Sequence, residues 1–134
     1  TLRNFLPMIR AGVMSLDHLD EVDTFSDGDE LDLPGSPTAL HTPGHTEGPA
    51  MFGCSNVGIL FTGDGLITMN LTGGDAGPQM IGDVFSHDPA QALESLNRIE
   101  DIDADQLLPG HGSPWSGSPA EALRLAREGP SASN

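Results

Sequence analysis

Three short segments of this chain repeat one arrangement: an apolar stretch of strand character runs into a glycine or proline turn, and the turn delivers a ligand-type side chain. In HTPGHT (His41 to Thr46) the turn Pro43-Gly44 delivers His45. In GILFTGD the apolar run Ile59 to Phe61 ends at Gly63-Asp64, and in LLPGHG the turn Pro109-Gly110 delivers His111. Pro43 and Gly44 suit the central positions of a type II turn, and Pro109-Gly110 is expected to repeat it. Side chains fixed in this way before a metal arrives lower the entropic cost of binding it. Imidazole and carboxylate suit zinc, manganese or iron, and a ligand set with open positions suits catalysis better than structural binding.

The pattern around these segments predicts an α/β (α+β) fold. Strands are expected near 22 to 25, 30 to 33, 37 to 41, 49 to 54 and 57 to 62, separated by the turn pairs Asp27-Gly28, Pro34-Gly35 and Pro43-Gly44 and by Asn56. A further short strand is expected over Gln106 to Leu108. Asp88-Pro89 opens one helix, to Glu100, in which Ala92, Leu93, Leu96 and Ile99 recur at helical spacing. Ser118-Pro119 opens a second, to Glu128, with Ala122, Leu125 and Ala126 on one face and Gly129-Pro130 as its stop. Both helices are expected on the same face of one mixed sheet, through Leu93, Leu96, Leu123 and Leu125. Thr1 to Leu19 offers only a weak helical stretch, so the other face lacks a cover.

Composition narrows the partners. Twenty acidic residues stand against five arginines and no lysine, a formal net charge of -15, so nucleic acid and anionic membrane surfaces are excluded as partners. No apolar run approaches the ~18 residues needed to cross a bilayer. The single cysteine, Cys54, has no internal disulfide partner, which suits a reducing, cytoplasmic setting. Thr1 to Met8 does not read as a signal peptide, and the chain is expected to begin inside a longer product.

HTPGHT, FTGD and LLPGHG, in this order, resemble the third, fourth and fifth metal-binding motifs of the metallo-β-lactamase superfamily. The resemblance includes FSDGDELDLPG and spans about Phe25 to Trp115. It implies half of an αββα sandwich with residues 1–134 as a partial, C-terminal domain, whose last residues, 131–134, read from composition as a disordered tail. It implies a zinc centre of up to two ions in the complete protein, with manganese or iron as substitutes. His45 would bind the first ion, Asp64 would bridge both and His111 would bind the second. The activity implied is hydrolysis of a small-molecule ester, thioester or lactam by a metal-bound hydroxide that Asp64 positions. An iron-dependent oxidoreductase of the same superfamily, or a non-catalytic remnant, is the alternative.

The family's upstream signature, His-x-His-x-Asp-His, is absent from these 134 residues. Asp17-His18 does not replace it, because Val13 and Ser15 stand where histidines are required. His41 matches a position that the family does not use as a ligand. Cys54 reads as a small core residue, His18 and His87 as surface, and the acidic stretch Asp17 to Asp32 as a solvated rim. Trp115 either lines a substrate pocket or covers the core. The uncovered sheet face is expected to favour self-association.

Overall fold

The computed structural model describes residues 20–70 and 76–129. The weak helical stretch, Asp17-His18 and the 131–134 tail therefore lie outside the described residues. Five strands form one sheet in the order of the chain: β1 (Thr38–His41), β2 (Ala50–Cys54), β3 (Ile59–Gly63), β4 (Gln106–Pro109) and β5 (Trp115–Ser116). All neighbours are antiparallel except β3 and β4, which run parallel. Parallel neighbours need a crossover, and α1 (Pro89–Ser95) lies within it. Its last turn tightens into a 3-10 helix over Leu96–Ile99, and α2 (Pro119–Glu128) follows β5.

Each helix starts where its sequence provides a cap. The Asp88 side chain accepts a hydrogen bond from the Gln91 N–H at 2.9 Å, and Ser118 accepts one from Glu121 at 3.2 Å, with proline next in both cases. Gly129, at φ 72°, closes α2.

Strand alternation sorts the apolar residues onto two faces. Leu40, Met51, Leu60 and Leu107 point to the helices and join Leu96, Ile99, Ala122, Leu123 and Ala126 in one core. The face contributed by α1 is thus Ala92, Leu96 and Ile99. Leu93, expected in the core, is 38% exposed, because a core this shallow admits only the i, i+4, i+7 stripe. Leu125 is only half-buried, and Leu123 takes the central place in α2.

On the opposite face Ala39, Phe52, Phe61 and Leu108 stand in one cross-strand row. Phe25 meets Phe52 edge to face at 5.5 Å. Phe25, Leu33 and Phe61 are exposed, and they border a groove of about 740 Å³ with Asp23 and Asp32 on its rim. Cys54 is buried there, against the Gly35 turn, and is not part of the main core.

Two of the expected strands do not form. Residues 22 to 25 pair with no strand, and Val22 is 69% exposed. Of 30 to 33 only Glu30 makes a bridge, to Thr38. Pro34 and Pro37 have no N–H to donate, and Gly35 and Ser36 turn the chain through positive φ, so a hairpin cannot extend there. Conversely, β5 is a two-residue strand and Asp83–Phe85 a single 3-10 turn, both below the length at which periodicity gives a signal.

Candidate metal centre

His45, Asp64 and His111 leave the sheet at one edge. β1 ends at His41, and Gly44, at φ 130°, turns the chain so that His45 faces back over the strand ends. Only glycine fits at Gly44: its conformation is strained for other residues, and a side chain would run into the main chain of Ala92 in α1. Gly63, at φ 52°, swings Asp64 out of β3. The Gly110 N–H donates to the Gly63 carbonyl at 2.8 Å, which carries the β3–β4 ladder to the last residue before His111.

That bond corrects the expected repeat of the type II turn. Gly110, just past β4, is still tied to β3 by this bond, and the positive φ falls on Gly112, at 101°. Gly112 packs against Thr68, whose N–H donates to the His111 carbonyl at 3.0 Å and whose hydroxyl donates to the Ser113 carbonyl at 2.7 Å. The turn after β4 is therefore fixed by the segment that follows Asp64.

The three side chains converge on the Asp64 carboxylate. His45 Nε2 lies 3.7 Å from Asp64 Oδ2, and His111 Nε2 lies 3.5 Å from Oδ1. Both separations exceed ordinary hydrogen-bond reach. They are close to the ~3.4 Å between two ligand atoms that share a tetrahedral zinc with bonds of ~2.1 Å. Each carboxylate oxygen thus lies nearest a different imidazole. Among the described residues no group of three or more His, Cys, Asp or Glu side chains is arranged so that it could hold a metal ion by itself.

Burial grades across the site: the side chains of His45, Asp64 and His111 are 18%, 36% and 43% exposed. Nδ1 of His45 is buried with no hydrogen-bond partner among the described residues, as are Oγ1 of Thr42 and Oγ of Ser86. A lone buried polar atom costs about 1–3 kcal/mol. The donor chemistry and the separations fit a metal ion on the Nε2 atoms.

Other residues fall where the sequence placed them, with one exception. The His41 ring is 3.0 Å from the Glu47 carbonyl and takes no part in the cluster. His87 is exposed, and Trp115 covers the core. Asp27, read as part of a solvated rim, instead accepts a two-pronged bond from Arg98 at 2.8 and 2.9 Å and a third bond from the His41 N–H at 2.8 Å. The Arg98 guanidinium first, and the His41 N–H after it, hold the Asp27 carboxyl below the usual aspartate range. The only sequence signal was that Arg98 is one of few cations in a strongly acidic chain.

A mixed sheet with helices on one face carries histidine and aspartate at the C-terminal ends of β1, β3 and β4, which run in the same direction. The family model of the metallo-beta-lactamase superfamily matches residues 7–111, and the chain belongs to that superfamily. Its fold is shared with a metallo-beta-lactamase family protein from Thermus thermophilus, at TM-score 0.61 and 23% identity over 92% of this chain and 42% of that one. A beta-lactamase domain protein from Burkholderia ambifaria gives 0.59 and 22% over 82% of this chain and 33% of the other. A third protein, solved in a di-iron-bound form, is 26% identical at TM-score 0.50, over 83% of this chain and 55% of that one. The chain therefore spans about half or less of the length of these relatives. No curated protein matches it.

Proposed function

We propose that this chain supplies His45, Asp64 and His111 to the metal centre of a hydrolase that acts on a small organic ester, thioester or lactam. The observation that carries this reading is that the two oxygens of one carboxylate each face the Nε2 of a different imidazole, at 3.7 and 3.5 Å. In this reading His45 and Asp64 would hold one ion, and His111 and Asp64 a second. The ligand set suits zinc, with manganese or iron as further occupants. A bound ion would supply an acidified water and a positive charge beside the developing oxyanion.

The residues themselves do the positioning. In this reading Asp64 would accept a hydrogen bond from the attacking water and fix its direction. His45, the most enclosed of the three, holds one side of the centre rigid, while the more exposed His111 borders the approach of substrate. The net charge of -15 repels polyanions, so a small molecule is favoured over nucleic acid.

The test is to measure zinc, manganese and iron per chain and hydrolysis of activated esters and thioesters, for the wild type and His45→Ala. Two donors per ion are fewer than the three that a catalytic zinc usually keeps. The expected result is weak metal uptake that His45→Ala abolishes, with turnover only when a segment bearing His-x-His-x-Asp-His is supplied. Uptake indifferent to His45→Ala overturns the ligand assignment. Two tightly held ions with turnover by the 134 residues alone would show that no further ligands are needed.

The di-iron form of one relative favours a second reading, an iron-dependent oxidoreductase. Retained iron and consumption of dioxygen, without ester turnover, would select it. Complete failure to take up metal would select a third reading, a non-catalytic remnant.

A further inference from the structure

The carbonyls of the turn that presents His45 are held mainly by the segment His87–Arg98. Arg98 Nη1 donates to the His41 carbonyl at 2.7 Å, and Ser95 Oγ donates to the Pro43 carbonyl at 2.7 Å. The Asp88 N–H donates to the Gly44 carbonyl at 2.8 Å, and the His87 N–H to the His45 carbonyl at 3.1 Å. Four of the five carbonyls from His41 to His45 thus receive a bond from one short stretch of chain. Gly44 is pressed against the main chain of Ala92 in the middle of that stretch.

Two of the four donors are side chains with alternatives. A serine inside a helix ordinarily bonds back to its own preceding turn, but the hydroxyl of the buried Ser95 reaches across to Pro43. Arg98 uses both of its terminal nitrogens on Asp27 and one of them also on His41, while the His41 N–H bonds the same carboxylate. Asp27 thereby locks the guanidinium in the orientation that the His41 carbonyl requires. The fork geometry is one that a lysine cannot reproduce.

We infer that Ser95 and Arg98 are positioning residues for His45: through the carbonyls of its turn they fix where its imidazole stands relative to Asp64. This rests on the reading of His45 as a ligand. The Arg98–Asp27 pair is roughly 40% exposed, so it adds little to global stability, and its effect falls on the turn it ties down. Residues that orient a metal ligand from behind change metal affinity by about 10- to 100-fold when removed.

The experiment uses Ser95→Ala, Arg98→Met and Arg98→Lys, with Leu93→Ala on the exposed side of the same helix as control. Zinc affinity is measured by competition with a chelating dye, and the His45 ring signals are followed by NMR in the metal-free chain. Ser95→Ala and Arg98→Met are expected to weaken zinc about 10-fold and to shift or broaden the His45 ring signals, with little change in melting temperature. Arg98→Lys should recover part of the loss, and Leu93→Ala should match the wild type. Unaltered ring signals in both Ser95→Ala and Arg98→Met overturn the inference, whether or not zinc binds. Zinc binding that is equal in the wild type and His45→Ala instead removes the ligand reading, while the ring signals still decide the positioning role.

Discussion

Gly110 stands so close to Asp64 that a methyl group on its Cα would overlap the carboxylate oxygen Oδ1, the one that faces His111. The same methyl would crowd the Gly63 carbonyl, to which the Gly110 N–H is bonded. Gly110→Ala is therefore expected to push the carboxylate off the line between the two imidazoles and to weaken zinc binding by at least about 10-fold. Gly48→Ala, which meets open space, is the control. Equal zinc affinity in the two variants would mean that the position of Asp64 does not govern the site.

The core and the outer side of α1 should respond in opposite ways. Leu60 is fully buried in β3, between β2 and β4 and under the helices, and Leu60→Ala is expected to cost about 2–5 kcal/mol. Leu93→Ala, on a side chain 38% exposed, should change stability by about 0.5 kcal/mol or less. Urea unfolding of both variants measures the contrast, and similar losses would mean that α1 packs through a different face.

The Arg98–Asp27 pair gives a pH signature of defined sign. The folded carboxyl titrates below its ordinary value, so its contribution is present above the unfolded-state pKa and is lost as pH falls through the folded one. Between ~pH 5 and ~pH 3 the wild type should lose slightly more stability than Arg98→Met, which no longer has this bond to lose. Urea midpoints across that range measure the difference. A steeper acid loss in the variant would assign the depressed titration to another partner.

On the sheet face opposite the helices, Phe61 is 43% exposed in a row with Ala39, Phe52 and Leu108. Contiguous apolar surface of this kind associates. Phe61→Ser is expected to reduce concentration-dependent self-association in sedimentation velocity, whereas Val84→Ser, at a residue 84% exposed outside that row, should not. Monomeric behaviour of the wild type at every concentration would show that the face does not drive association.

Much of this architecture was legible in the chain. The ends of β1, β2 and β3 lie within two residues of expectation, because glycine, proline and asparagine turns bound them closely. Asp88 and Ser118 cap the helices as their sequences require. The meeting of His45, Asp64 and His111 followed from their shared strand-end setting. What was hidden depends on contacts remote in sequence. Leu93 and Ala92 look alike to a periodicity argument, and only the depth of the core separates them. Asp27 and Arg98 are 71 positions apart, and nothing local marks them as partners. The left-handed glycine after β4 is Gly112 and not Gly110, a distinction set by the bond from Gly110 to the neighbouring strand.

That neighbouring strand also has an evolutionary consequence. Because β3 and β4 are parallel and adjacent, Asp64 and His111 are issued side by side, and their spacing is set by the ~4.8 Å pitch between paired strands. The length of the crossover between them does not enter. Residues gained or lost in the crossover away from Thr68, which holds the turn after β4, would therefore leave Asp64 and His111 side by side.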